Sequence, residues 1–200
     1  MDNDTHAVTD GLAQGLADSG LTQADFATAL GTSASRFSTY LSGKIDPSAS
    51  FYLRALRLAQ ALRGARALGL MTPQSTAREV RRSLRKHDDI RALKMTLQAR
   101  DHLHTLLHDA DAHTEEATSA WISTPRSTGE RKWDAFFAAL TEHEFTSANH
   151  EPPAWTSTDT NDDPLLVKSL LLSDDEVRAS TPEWLSRHGV YAAERDLVTA

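Results

Sequence analysis

Between residues 33 and 44 the sequence reads SASRFSTYLSGK, and five of its side chains, Ala34, Ser35, Ser38, Thr39 and Ser42, fall at helical spacing on the side opposite Phe37, Tyr40 and Leu41. Hydroxyls donate to or accept from base edges and phosphates, and the methyl groups of Ala34 and Thr39 suit contact with a thymine methyl. A short, uncharged face of this kind fits a groove. Arg36, Lys44 and a helix N-terminus capped by Ser33 would add positive charge toward phosphates. A second group, Asp101, His104, His108 and Asp111, lies at i, i+3, i+7 and i+10 and has the spacing of a metal-binding stripe. The polar side of any amphipathic helix looks the same, and the stripe would equally serve as a pH-sensitive surface. With no cysteine in the chain and no HExxH arrangement, no metal or cofactor is expected.

The elements that must position the hydroxyl face are written in the flanking residues. Thr22 is an N-cap, Asp25 stands three residues on in the capping-box position, and Leu21 and Phe26 are spaced as a hydrophobic staple. The helix they start runs to Leu30, and Gly31 supplies the left-handed residue of a sharp turn. Ser33 then caps a second helix whose residues Phe37, Tyr40 and Leu41 form one inward stripe, and Gly43 stops it.

The run LTQADFATALGTSASRFSTYLSGKIDPS resembles the helix-turn-helix of the Cro and phage-repressor-like (Xre) transcriptional regulators. The resemblance lies in the Leu-Thr-Gln start, the small Ala27 where two helices cross, the glycine turn, the Ser-Gly-Lys exit and Pro47-Ser48 at the next helix. With flanking helices it covers residues 7 to 70 and implies a five-helix, lambda-repressor-like fold. It also implies that Gln23 grips a phosphate, that Ala34, Ser35, Ser38 and Thr39 read bases, and that Arg36 and Lys44 lie near the DNA backbone. Many members of that family carry Gln, Arg or Asn on the reading face, where this chain has only small side chains. Weak readout per base calls for paired half-sites or DNA shape, so a homodimer on double-stranded DNA is expected.

Charge is unevenly spread. The net charge is −7, yet residues 1–100 hold 14 Lys+Arg against 9 Asp+Glu, whereas residues 101–200 hold 7 against 19. Polyanions should approach the first half, and the second should meet a basic partner. Thr72-Pro73 marks a helix start, after which Arg78, Arg81, Arg82, Arg85 and Lys86 stack five cations on one face by spacing. Solvent, internal pairing, DNA phosphate or an acidic partner would neutralise them, and Arg78, Arg81, Arg82 and Arg85 are the candidate phosphate contacts. From Asp88 to Ser123 no glycine or proline interrupts the chain, which predicts one long helix or a helix pair that dimerises the protein or connects its ends.

After Pro125 the side chains of Trp133, Phe136, Phe137, Leu140 and Phe145 make an apolar helical face that belongs in a core or an interface. HEPPAWTSTDTNDDP reads as an irregular loop anchored by Trp155, followed by helix starts at Ser173 and Thr181-Pro182 and a short extended stretch at Val190-Tyr191. The two tryptophans, Trp155 and Trp184, are expected in the core rather than as exposed partner anchors. TPEWLSRHGVYAAERDL, with Pro153-Ala154-Trp155-Thr156, resembles the C-terminal module of some Xre-type regulators encoded beside nucleotidyltransferase-like toxins, which implies a toxin partner. No P-loop, dinucleotide-binding glycine pattern or nucleophile elbow is present, so no enzyme is expected. No apolar run long enough for a membrane span and no secretory signal is found, and a cytoplasmic location follows as an expectation.

The expectation is a mostly all-α protein. Residues 1–70 form the helix-turn-helix domain, 71–125 a basic helical connector or dimerisation region, and 126–200 a small, acidic, helical and irregular partner-binding domain. Its expected function is that of an operator-binding, homodimeric repressor that could regulate its own operon. The alternatives are an antitoxin whose acidic third neutralises a toxin, and a metal-responsive regulator using the His/Asp stripe.

Overall fold

The computed structural model describes residues 3–108, 112–157 and 163–198, with the backbone alone for residues 112–115. The α-helices in chain order are α1 (Asn3–Ser19), α2 (Gln23–Ala29), α3 (Ala34–Leu41), α4 (Ala49–Ala67), α5 (Pro73–Leu84), α6 (Asp89–His108), α7 (Ala112–Ser119), α8 (Arg131–Ser147), α9 (Asp174–Ala179) and α10 (Glu183–Ser186). Two strands, β1 (Leu165–Leu166) and β2 (Val190–Tyr191), pair in parallel with Leu165 opposite Val190. The fold is all-α in class. The chain divides into two compact units, one of Met1–Gln74 with Ala110–Arg126 and one of Ser75–Asp109 with Ser127–Ala200.

In the first unit, Leu12 of α1, Phe26 and Ala27 of α2, Phe37 and Tyr40 of α3, and Phe51, Ala55 and Leu62 of α4 make a shared core. Phe26 meets Phe37 edge-on at 5.6 Å, and Tyr40 meets Phe51 at 5.0 Å. Small residues allow these approaches. Ala27 is wholly buried between helices, and a β-carbon at Gly11 would lie 2.2 Å from the Tyr52 hydroxyl, so a larger residue there would require the Tyr52 ring to shift.

The five-helix domain expected of residues 1–70 is completed from outside that range. Helices α1 to α4 end at Ala67, and α7 packs along α4, where Glu116 faces the bare Gly64. The turn of 3-10 helix after α7 places Ala120 in the same core and buries Trp121. The stretch 71–125 is therefore divided between the units and is not a single connector. The glycine-free stretch forms a helix pair, α6 and α7, whose members belong to different units; residues 109–111 lie outside the described residues.

The second unit is built around α8. Trp133, Phe136 and Leu140 pack with Val80 and Leu84 of α5, Leu97 of α6, Leu165, Leu185, Val190 and Leu197. Phe137, on another side of α8, meets the half-buried Trp155 at 5.2 Å with the rings tilted. Trp184 is half-buried against the core, its ring parallel to that of His143 at 4.0 Å. Both tryptophans thus pack inward. Val190-Tyr191 is extended as expected, but its strand partner Leu165-Leu166 could not be read from local pattern. The loop expected over 150–164 falls partly, at 158–162, outside the described residues.

Candidate nucleic-acid interface

Helix α2 begins where Thr22 accepts the Asp25 N–H at 3.2 Å. The Thr22 hydroxyl also donates to the Asp25 carboxylate at 2.8 Å, so the two side chains lock together in place of the reciprocal backbone contact of a capping box. Leu21 packs on the core that holds Phe26. At the far end Gly31 adopts φ +70°, its N–H bonds the Thr28 carbonyl, and the Thr32 N–H bonds the Ala27 carbonyl, both at 2.9 Å. That is a Schellman motif, and it needs a left-handed residue at Gly31. Arg54 of α4 donates to the Leu30 carbonyl at 3.1 Å, holding the turn from behind.

Ser33 caps α3 by accepting the Arg36 N–H at 3.1 Å. Phe37 and Tyr40 are buried, while Ala34, Ser35, Arg36 and Ser38 are exposed and Thr39 is half-exposed. Gly43, at φ +65°, ends the helix with the same motif: its own N–H bonds Tyr40 and the Lys44 N–H bonds Thr39. The side-chain amide of Gln23 donates to the Ala34 carbonyl at 3.3 Å, which ties the start of α2 to the start of α3. The structure therefore brings Gln23, Ser33, Ala34, Ser35, Arg36, Ser38, Thr39 and Lys44 onto one frame of two capped helices.

The hydroxyls on this face are not equivalent. Thr39 donates to the Arg36 carbonyl at 2.7 Å and Ser42 to the Thr39 carbonyl at 3.2 Å, so their protons are engaged by the helix itself. Ser33 is occupied as a cap. The Ser35 and Ser38 hydroxyls have no hydrogen-bond partner among the described residues and are open both to donate and to accept, whereas Ser33, an acceptor in its cap, keeps its proton to donate. Thr39 keeps its methyl group and its acceptor lone pairs. Arg36 lies back along the helix, its Nε donating to the Tyr40 hydroxyl at 2.7 Å, a bond that holds the guanidinium pKa above its ordinary value. Only one of its five N–H donors is used in that contact.

The cations of α5 are arranged differently from the spacing argument. The helix ends at Leu84 and His87 turns left-handed at φ +55°, so Arg85 and Lys86 sit beyond the helix and do not continue a straight stripe. Positive charge at a helix C-terminus is favoured by the macrodipole, which explains much of the cluster without a ligand. Arg78, Arg82 and Arg85 are exposed, while Arg81 donates to the Ser127 carbonyl through Nε at 2.8 Å and also through Nη2.

The described members of the His/Asp stripe are engaged by separate partners, although the rings of His104 and His108 stack at 4.1 Å. His104 pairs with Glu144 of α8 at 2.9 Å, His108 bonds the His104 carbonyl at 2.8 Å, and Asp101 accepts from Arg100 at 3.0 Å. Asp111 lies outside the described residues. Among those described, no group of three or more His, Asp or Glu is placed to hold a metal ion.

Sequence reasoning missed Arg126, which lies 101 residues from Asp25 and pairs with its carboxylate at 3.2 Å. It also missed Arg54. Neither carries a local signal, since each acts through a contact that only the packed unit creates.

Residues 16–69 match the model of a helix-turn-helix domain. That span holds both capped helices and the turn between them, and it supports a helix-turn-helix DNA-binding regulator. No curated protein and no solved structure matches the chain. Among the described residues no helix is long and apolar enough to cross a membrane.

Proposed function

We propose that the protein is a sequence-specific transcriptional repressor of the Xre type, acting in the cytoplasm. It occupies operator DNA as a homodimer with α3 of each copy in adjacent major grooves. The observation that carries this reading is the exposed face of Ala34, Ser35 and Ser38 on a helix whose two ends are fixed by caps and whose other side is buried. Ser35 and Ser38 read base edges, Ala34 and the Thr39 methyl meet thymine methyls, and Gln23, Arg36 and Lys44 engage phosphates. Selection of bound duplexes from a random pool is the direct test. Two half-sites related by a dyad and centred one or two helical turns apart are expected. Recovery of no enriched sequence, or of a single asymmetric site bound by a monomer, would count against it.

A second role, compatible with the first, is neutralisation of a basic partner such as a toxin by the acidic second unit. It is favoured by Leu170 and Leu171, 100% and 69% exposed, which precede the acidic first turn of α9 at Asp174, Asp175 and Glu176. Residues 126–200 alone would lack the core side chains that α5 and α6 contribute, so the full chain is the reagent. Co-purification with the product of the neighbouring gene, lost on changing both leucines to Asp, is the expected result. No retained protein would dismiss it.

A further inference from the structure

Arg126 ends the return segment of the first unit, after α7 and the buried Trp121 have been packed against α4. Its side chain is 47% exposed and reaches the first turn of α2, where Nη1 lies 3.2 Å from Asp25 Oδ1. The other Asp25 oxygen accepts the Thr22 hydroxyl, so the carboxylate is fixed and Arg126 is fixed to it. Two residues earlier, Gln23 is bonded to the start of α3. The pair therefore stands on the first turn of α2, the turn from which Gln23 reaches the start of α3.

In helix-turn-helix docking the second helix enters the major groove with its N-terminal residues at the bases, while the first helix crosses the sugar-phosphate backbone. A lone carboxylate in the first turn of α2 would add negative charge to the helix that crosses that backbone. Arginine opposite Asp25 cancels the charge. One guanidinium nitrogen is used on the carboxylate, and the planar group has further N–H donors for a phosphate oxygen on its open side. The exposure of Arg126 leaves that side reachable.

We propose that Arg126 is a phosphate-binding residue of the DNA interface, oriented by Asp25 and supplied by a part of the chain outside the matched helix-turn-helix span. The assignment rests on the DNA-binding reading above. It takes as ligand the backbone of duplex DNA, without regard to base sequence, and it makes the return segment part of the interface as well as part of the core.

The test uses the full chain and a mixed-sequence duplex of about 30 base pairs, titrated over a range of salt. Arg126→Ala should weaken binding about tenfold near physiological salt and lower the magnitude of the log K against log salt slope by about 1, the loss of one phosphate contact. Arg126→Lys should keep the slope. In Arg126→Ala/Asp25→Asn, removal of the stranded carboxylate should restore part of the affinity while the slope stays reduced. A wild-type slope for Arg126→Ala would overturn the proposal, and so would full recovery of affinity and slope in the double variant, since Arg126 would then only mask Asp25. Thermal melting of each variant, and binding by Asp25→Asn alone, separate a structural strap from a contact. Failure of the wild-type chain to bind any duplex would remove the DNA-binding reading itself. Loss of binding in Arg36→Glu with an unaltered Arg126→Ala would remove only this assignment.

Discussion

Helices α3 and α8 differ sharply in exposure. Two of the eight residues of α3, Phe37 and Tyr40, are buried, and its exposed surface carries the small side chains of Ala34, Ser35 and Ser38 beside Arg36. Ten of the seventeen residues of α8 are buried, among them Trp133, Phe136, Phe137 and Phe145. A helix as exposed as α3 gains little from its own burial and depends on its ends: the Ser33 cap, the Gly31 turn before it and the Gly43 turn after it. A helix as enclosed as α8 is held by its neighbours, and even without a side-chain hydrogen bond at its N-cap residue Glu130 it stays in place. Substitutions on α3 should therefore be read in binding, and substitutions on α8 in stability.

The sharpest way to break this contrast is Phe136→Ala. Phe136 has no exposed surface and meets Trp133 at 6.0 Å, so truncation should cost about 3–5 kcal/mol. A denaturant titration showing a loss near zero would mean that α8 is not the centre of its unit. Next in size is Gly31→Ala, which forces a β-carbon into φ +70° and should cost about 1–2 kcal/mol although nothing else crowds the site. Ser33→Ala removes the α3 cap and should cost about 1 kcal/mol in the same titration.

Ser38→Ala should leave stability within about 0.5 kcal/mol and instead change which duplexes are selected, because the Ser38 hydroxyl bonds nothing in the protein among the described residues. Thr39→Val provides the contrast: it keeps a methyl group and loses a hydroxyl whose proton already serves the helix, so its effect on selection should be smaller. Equal shifts for the two would blur the distinction between free and engaged hydroxyls.

The smallest effect expected is one of pH. Burial against Trp184 lowers the His143 pKa, Arg100 and Arg187 lower it further, and Glu144 opposes them. The folded state therefore favours neutral imidazole. Its contribution is complete above the ordinary histidine range and is lost as pH falls through that range toward the lowered folded value. The same direction holds for His102, again through burial, with Asp101 opposing. Nearby, His104 faces Glu144 and His188 faces Glu142, so the comparison must be with a variant and not across pH alone. The stability advantage of wild type over His143→Gln should shrink between pH 7.5 and pH 5.5, as measured by urea midpoints.

What could be read from the sequence follows from the range of each interaction. Thr22, Ser33 and Ser48 cap helices through bonds to residues three positions on, and such short-range chemistry is written in consecutive letters. The apolar side of α8 was legible for the same reason, through its period. The pairing of Leu165 with Val190, the docking of α7 on α4 and the contact of Arg126 with Asp25 join residues far apart, and no local pattern announces them. Nor could spacing tell Thr39 from Ser38, because the difference is one of which way a hydroxyl turns. Charge counting overreached at Arg81 to Lys86, where the helix end at Leu84 breaks the assumed stripe.

The interleaving of the two units sets an order of events at the ribosome. Helices α1 to α4 emerge first, but the helix that closes them, α7, follows only after α5 and α6, which must await α8 for most of their own core. At synthesis rates of about 5–20 residues per second, the nascent reading head spends several seconds without its final buttress. Chaperones that shield unfinished hydrophobic surface should therefore meet this chain between those two moments, and truncation after residue 70 would hold the protein permanently in that interval.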